Sequence, residues 1–401
     1  MLSTDQEAAR AAIHAAMADG ARRLTMSGPA GSGKTTLMRT LIGDLESKGR
    51  AVTLLAPTGK ASARLRDLTG RDTSTIHRAI YKRVIEKPDG NVEFRDPRSA
   101  AQAGAVVICD EASMIGQTLY RDLAGALPSS AVLICVGDRE QLPPVGDTWG
   151  ADFSNPTALL TKVHRQAEAS PIIRLATTIR QGDDWRTIRP EPGYVRRRSN
   201  VAGAAGWLAT MRALGVDATL LTFSNRTRAE LNRATRAARG HVGELVVGDV
   251  IVCTRNAHAL GIANGETRTI ADFDYTVIDR VDDDGWDLSP WLDAAAVSFV
   301  EGGEFKAPPM IFAEHLADGV PPSLWSRVRA EVDPRAAPRL LMAEYGEALT
   351  VHKSQGSQWD NVGIVYDSML AGMAARDPDL HRRILYTAAT RAAKELTIFE
   401  V

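Results

Sequence analysis

Only three cysteines occur in the 401 residues, Cys109, Cys135 and Cys253. Each stands alone inside an apolar run, and their spacing matches no metal motif. That argues against a thiolate metal site and leaves three buried core residues of a reducing compartment as the expectation. Charge of one sign is equally scarce. Lys and Arg number 48 against 49 Asp and Glu, a net charge of −1, so no global positive field marks nucleic acid or an anionic membrane as a partner. Any nucleic-acid contact has to come from local patches. Long apolar runs are missing too: none approaches a membrane span, and the N-terminus has no secretory h-region. No membrane association and a cytoplasmic location are therefore expected. Fixed-period repeats and low-complexity tracts are likewise absent. What is present is ordinary for a soluble globular chain, with 44% hydrophobic and 24% charged residues. The length suffices for about two or three domains with their own cores.

The strongest local signal is Gly28-Pro29-Ala30-Gly31-Ser32-Gly33-Lys34-Thr35-Thr36, which fits the phosphate-loop spacing G-x-x-x-x-G-K-[ST]. Its glycines let successive N–H groups converge on a polyphosphate, and the helix behind adds the positive end of its dipole. Lys34 would reach the β- and γ-phosphates, and the Thr35 hydroxyl would ligate Mg²⁺. A strand over Leu24-Thr25-Met26 and a helix over residues 36–48, stopped by Gly49, supply the required context. The competing reading is a Gly-rich turn without a ligand. The spacing favours a nucleoside triphosphate.

Continuous apolar runs at residues 51–56, 105–109 and 131–136 alternate with helical patterns, as in parallel strands covered on both faces. An opening helix over residues 3–18 carries a capping box from Ser3 and Gln6. Residues 79–96 read as a protruding β-hairpin, because Asp89-Gly90 separates two β-capable runs. Beyond a basic, proline-containing stretch at 186–198, a second α/β half has strands at 219–223, 362–366 and 396–399. Between them, about 266–344, composition turns to short β-like runs, an acidic turn at Asp282-Asp283-Asp284-Gly285 and a helix-like piece at 323–331.

Two strand ends carry further chemistry. Asp110-Glu111 follows the 105–109 strand, where Asp110 suits Mg²⁺ coordination and Glu111 suits activation of water; a solvated strand-end pair is the alternative. Gly137 to Pro144 ends the next strand. Gln141 there can hydrogen-bond a γ-phosphate or an attacking water without repelling an anion, although Gly-Asp and Pro-Pro also make ordinary loops.

Taken together and in order, these blocks resemble the motifs of superfamily 1 DNA helicases of the RecD-like and Dda-like group. The blocks are the phosphate loop, Ala56-Pro57-Thr58-Gly59-Lys60-Ala61, Thr75-Ile76-His77, Asp110 to Met114, Gly137 to Pro143, His164-Arg165-Gln166, Leu349 to Ser357, and Leu385 to Ala392. The resemblance implies an α/β fold of two RecA-like P-loop NTPase domains. The first would comprise 1–77 and 105–180, interrupted by a hairpin (pin) insertion at 78–104. The second would comprise 181–265 and 345–401, interrupted by a β-rich, SH3-like insertion at 266–344.

It further implies ATP and Mg²⁺ at the nucleotide site, with Gln6 reading the adenine edge and Gly356 among the nucleotide contacts. Lys34, Asp110, Glu111, Gln141, Arg165 and Arg391 would be the catalytic set, the two arginines facing the γ-phosphate with guanidinium forks. Single-stranded DNA would be gripped by Pro57, Thr58, Lys60, His77, Thr222, Asn225, Thr350, His352 and Lys353, residue types that hold phosphates without reading bases. The activity implied is ATP-dependent 5′→3′ translocation and unwinding of fork duplex DNA, with replication, recombination or repair proteins as further partners. An RNA helicase, a protein-displacing translocase and an ATP-regulated subunit of a nuclease complex remain open. The hairpin turn Pro88-Asp89-Gly90 departs from a stacking wedge in lacking an aromatic residue.

Overall fold

The computed structural model describes residues 2–86, 92–97, 99–144, 146–163, 169–255, 257, 260–262, 264–278, 292–303, 305, 307–317, 319 and 339–401. The chain divides into two compact units. One comprises Met1–Arg83, Phe94–Arg197 and Ser354–Ile398; the other comprises Val84–Glu93, Arg198–Lys353 and Phe399–Val401.

In the first unit, α1 (Thr4–Ala18), β1 (Arg23–Ser27), α2 (Lys34–Ser47), β2 (Val52–Ala56), α3 (Gly59–Thr69), β3 (Thr73–Thr75) and α4 (Ile76–Ile80) follow one another. The strands β4 (Tyr81–Glu86) and β5 (Val92–Pro97) pair with each other in a separate two-stranded sheet, as the hairpin expectation required; its turn lies outside the described residues. Then come β6 (Val106–Cys109), α5 (Gln117–Gly125), β7 (Val132–Gly137) and β8 (Ala158–Leu159). A parallel sheet has the order β3-β2-β6-β7-β1-β8. Its apolar runs are continuous because both faces are covered. Val106 and Ile108 of β6 enter one core with Ile13 and Leu41, whereas Val107 and Cys109 enter the opposite core with Ile76 and Phe153. All three cysteines are buried and free.

The same unit contains α6 (Pro171–Gln181) and β9 (Tyr194–Arg198). In the second unit, α7 (Val201–Ala213) packs on α8 (Asn225–Ala238), with β10 (Ala218–Thr222) between them in sequence. The strands β11 (Val250–Cys253), β12 (Thr267–Ile278), β13 (Leu292–Phe299), β14 (Met310–Ile311) and β15 (Ala343–Tyr345) form an antiparallel sheet in the order β14-β13-β12-β11-β15. This sheet therefore recruits residues 250–253, upstream of the expected start at 266. The reason is packing: Val250 to Cys253 are all buried, and Ile251 and Cys253 share a core with Ile270, Ala295 and Tyr345. The acidic turn at 282–285 and the helix-like piece at 323–331 lie outside the described residues. Beyond β15, β16 (Ala348–Thr350) pairs in parallel with β10 and leads into α9 (Val351–Ser354). The chain then returns to the first unit with β17 (Trp359–Tyr366), α10 (Ser368–Arg376), α11 (Pro378–Ala389) and β18 (Ala392–Glu400), where β17, β18 and β9 are successive neighbours. Among the described residues no helix is long and apolar enough to cross a membrane.

Candidate nucleotide-hydrolysis site

The strand order brings the C-terminal edges of β6, β7 and β1 together, and each edge ends in one of the chemical blocks. The loop from Gly28 to Gly33 leaves β1 and enters α2 at Lys34. Gly33 adopts φ +78°, a left-handed backbone that favours glycine. Gly28 is required for a different reason: a Cβ there would come within 2.6 Å of Ser32 Oγ and 2.9 Å of Leu160 Cβ. The Lys34 ammonium donates to the carbonyl oxygens of Gly28 (2.6 Å) and Pro29 (3.1 Å), which holds it over the loop.

Gln6 is buried and engaged at both ends. Its Oε1 accepts from the Ser3 N–H (2.9 Å) in the expected capping box, and its Nε2 donates to the Gly33 carbonyl (3.1 Å). It thus ties α1 to the end of the phosphate loop, and its amide keeps one N–H and one lone pair for another partner.

A cavity of about 310 Å³ opens at this edge. Pro29, Ala30, Gly31, Gly33, Lys34, Thr35, Asp110, Glu111, Gln141, Gly356 and Arg391 all line it, as the sequence led one to expect, whereas Gln6, Gly28, Ser32 and Thr36 do not. Arg165 lies outside the described residues. Burial, followed by the neighbouring Glu111 carboxylate, pushes the Asp110 carboxyl up to about 6. Glu111 has φ +51°, the one non-glycine residue in the left-handed region among those described. Such a backbone costs on the order of 1–3 kcal/mol and persists where the surroundings impose it. Its carboxylate has no hydrogen-bond or ionic partner among the described residues. Gln141 is buried, and its Oε1 is without a hydrogen-bond partner although it borders the cavity. A buried amide oxygen left unpaired costs about 1–3 kcal/mol, so this is a polar group built for something that enters the site.

Arg391, one residue past the C-cap of α11, is 3% exposed. Its three nitrogens donate to neutral oxygens only: Nε to the Thr387 carbonyl (3.1 Å), one terminal nitrogen to the Ser357 carbonyl (3.3 Å) and the other to Thr390 Oγ1 (3.1 Å). Burial pulls its pKa below the ordinary arginine value, with Glu111 opposing that shift. The alternative of a surface ion pair does not describe this residue.

Helix α11 also clamps the loop after β7. The Tyr386 hydroxyl accepts from the Ala30 N–H of the phosphate loop (2.8 Å) and donates to buried Asp138 (2.6 Å). Thr387 Oγ1 accepts from the Leu142 N–H (3.0 Å), the Gln355 amide donates to the Leu142 carbonyl (3.1 Å), and Arg382 pairs with Glu140 (2.6 Å). Arg383 donates to the Arg139 and Gln141 carbonyls. Sequence reading quoted Asp138, Tyr386 and Thr387 within their blocks but gave them no role. It missed Arg64 altogether, which lines the cavity from α3.

The residues expected to hold DNA fall in both units, and several are already occupied. In the first unit, Thr58 caps α3 by accepting from the Ala61 N–H, Lys60 lies 5.3 Å from the centre of the Trp359 ring, His77 stacks on Tyr81, and Pro57 is half-buried. In the second unit, Asn225 is exposed at the start of α8. His352 is half-buried beside Phe223, and burial lowers its pKa. Lys353 pairs with Glu344 (3.0 Å), and Thr350 Oγ1 accepts from the Lys353 N–H. Thr222 is fully buried at the end of β10, so exposure does not support it as a DNA contact.

Comparison with known proteins agrees with this arrangement. Residues 1–195 match the family model described as an AAA domain, and residues 345–399 match the UvrD-like helicase C-terminal domain. The ATP-dependent RecD2 DNA helicase of Deinococcus radiodurans is 29% identical over 93% of this chain and 46% of that protein. The ATP-dependent DNA helicase dda of Enterobacteria phage T4 is 30% identical over 57% of this chain and 55% of that protein. The chain is similar to superfamily 1 helicases of the RecD-like and Dda-like group. It spans about half the length of those two curated relatives. A solved structure of Pif1 helicase from Bacteroides, in complex with ADP-AlF3 and ssDNA, aligns with 99% of this chain and 92% of its own at a TM-score of 0.53 and 17% identity. That likeness concerns the fold, which is α/β with two RecA-like domains.

Proposed function

We propose that this chain is an ATP-dependent DNA helicase that moves 5′→3′ on single-stranded DNA and separates duplex at a fork. The observation that carries the reading is the convergence of Lys34, Glu111, Gln141 and Arg391 on one cavity beside the phosphate loop, with the Gln141 oxygen buried and unpaired. The loop N–H groups and Lys34 bind the phosphates of ATP. Glu111, without a competing partner among the described residues, takes the proton of the attacking water, which Gln141 orients. Arg391 stabilises the charge that builds on the terminal phosphate, and Arg165 is proposed as the second arginine. Gln6 offers its remaining amide positions to adenine. Thr35 and Asp110, one hydroxyl and one carboxylate on the same cavity, suit Mg²⁺, which takes few protein ligands and fills its remaining positions with water and phosphate oxygens. When bound, that ion would neutralise phosphate charge.

Pro57, Thr58, Lys60, His77, Asn225, Thr350, His352 and Lys353 are proposed to hold the strand, with Lys353 exchanging Glu344 for a phosphate. The RecA-like domains are placed at 1–77 with 105–180, and at 181–265 with 345–401, apart from β11, which joins the β-rich insertion. Cytoplasmic location and partners among replication, recombination or repair proteins belong to the same proposal. Steady-state ATP hydrolysis, measured alone and with single-stranded DNA or RNA, tests it. Strong stimulation by DNA and weak stimulation by RNA is expected. Stimulation by RNA alone would transfer the activity to RNA, and no stimulation by either would refute the motor reading.

A further inference from the structure

Helix α3 is expected to meet DNA at its first turn, through Thr58 and Lys60. Its next turns face elsewhere: Ala61, Arg64 and Leu68 line the nucleotide cavity, at spacings of three and four that put them on one helix face. Ala61 is held against the cavity wall, since a Cβ on Gly356 would lie 3.2 Å from the Ala61 Cβ. Arg64 is exposed, and among the described residues it has no hydrogen bond, ion pair or ring contact. Other arginines around the site differ in this respect. Arg382, Arg383 and Arg391 each make two or more hydrogen bonds to the protein.

Position says which part of a triphosphate an arginine here would meet. The loop N–H groups and Lys34 take the phosphates nearest the loop. Arg64 lines the same cavity as Glu111, Gln141 and Arg391, the groups that belong to the end where the terminal phosphate and the attacking water are expected. Charge points the same way. Lys34, Arg64 and Arg391 against Asp110 and Glu111 leave the lining one positive charge in excess, and without Arg64 it would be neutral. A guanidinium also remains charged at any working pH and can bind two phosphate oxygens at once.

We propose that Arg64 is a further nucleotide-binding residue that contacts the terminal phosphate of bound ATP, so that a single helix carries a DNA contact at Lys60 and a γ-phosphate contact one turn later. The inference rests on the nucleotide reading above and adds a direct route by which the presence of that phosphate repositions α3 and its grip on the strand.

The test compares affinities for the non-hydrolysable analogue AMP-PNP and for ADP, by displacement of fluorescent methylanthraniloyl-ADP in the presence of Mg²⁺ and an oligo-dT strand. Parent, Arg64→Ala and Arg64→Lys are measured; the side chain is exposed, and thermal melting checks that the fold is kept. Arg64→Ala should bind AMP-PNP about tenfold or more weakly, the scale of a lost hydrogen-bonded charge pair, with ADP affinity within about two-fold of the parent. Arg64→Lys should recover part of the difference. Equal losses for both nucleotides, or no loss for either, overturn the γ-phosphate assignment. A parent chain that binds neither nucleotide defeats the nucleotide reading and this proposal with it.

Discussion

Replacing Arg391 by lysine separates a charge from a geometry. The guanidinium is 3% exposed and fixed by three hydrogen bonds to the Thr387 and Ser357 carbonyls and to Thr390 Oγ1. Lysine carries one compact ammonium, which cannot satisfy those three oxygens and still present two donors to a phosphate. Burial already lowers the pKa of Arg391, and the same burial acting on lysine, from an ordinary value of about 10.4, drives the variant toward its neutral form. The structural cost is bounded by the three hydrogen bonds, at about 1 kcal/mol each, part of which the ammonium can keep, so the melting temperature should fall by only a few degrees. The catalytic cost is larger, because an arginine stabilising the transferring phosphoryl group is worth about 10³- to 10⁵-fold in turnover, or roughly 4–7 kcal/mol. DNA-stimulated phosphate release should therefore fall by at least about a thousandfold, while ATP affinity, read by equilibrium displacement, changes less than about tenfold. If Arg391→Lys keeps more than about a tenth of the parental turnover, Arg391 is not the arginine that meets the γ-phosphate.

Lys34 and Glu111 should fail differently: Lys34→Ala loses nucleotide binding and turnover together, whereas Glu111→Gln retains ATP but hydrolyses it at least about a hundredfold more slowly, as single-turnover assays would resolve. Comparable turnover by Glu111→Gln and the parent would falsify the general-base role. Tyr386→Phe leaves the Ala30 N–H and buried Asp138 each short of a partner, which should lower stability by about 2 kcal/mol in denaturant titrations and raise KM for ATP; unchanged values for both would remove Tyr386 from the support of the phosphate loop. Asp44 accepts a two-point hydrogen bond from Arg10 at 2.6 Å, which holds its carboxyl down at about 2, against 3.8 ordinarily. This lowered pKa contributes stability that is present above pH 4 and lost as pH falls toward 2, so Asp44→Asn should cost about 1 kcal/mol at pH 7 and almost nothing at pH 2. A difference between the two proteins that persists at pH 2 would contradict the ionic account of that contact.

Much of the first sheet was legible because physics leaves little choice for its strands. Val106 to Cys109 and Val132 to Gly137 are buried throughout, and only strands covered on both faces read as continuous apolar runs. Val250 to Cys253 carry the same pattern and were not singled out in the sequence. Four apolar residues suit either sheet, and the choice was made by packing against Ile270 and Tyr345, 17 or more positions away. The phosphate loop, Glu111 and Arg391 could be read from spacing and residue type. The left-handed backbone of Glu111 could not, since glycine is the residue that ordinarily marks such a conformation. Nor could the bond from Tyr386 to Asp138, which joins residues 248 positions apart. Thr222 shows the converse: a hydroxyl at a strand end suits a phosphate contact in sequence, and its complete burial is set by the tertiary fold.

The most direct measurement is strand separation on two substrates of equal duplex length and sequence, one with a 5′ single-stranded tail and one with a 3′ tail, with and without ATP. An ATP-driven 5′→3′ helicase separates the 5′-tailed duplex, leaves the 3′-tailed duplex largely intact and does neither without ATP. Unwinding from the 3′ tail alone would reverse the polarity, and ATP hydrolysis with no strand separation from either tail would contradict the helicase assignment itself.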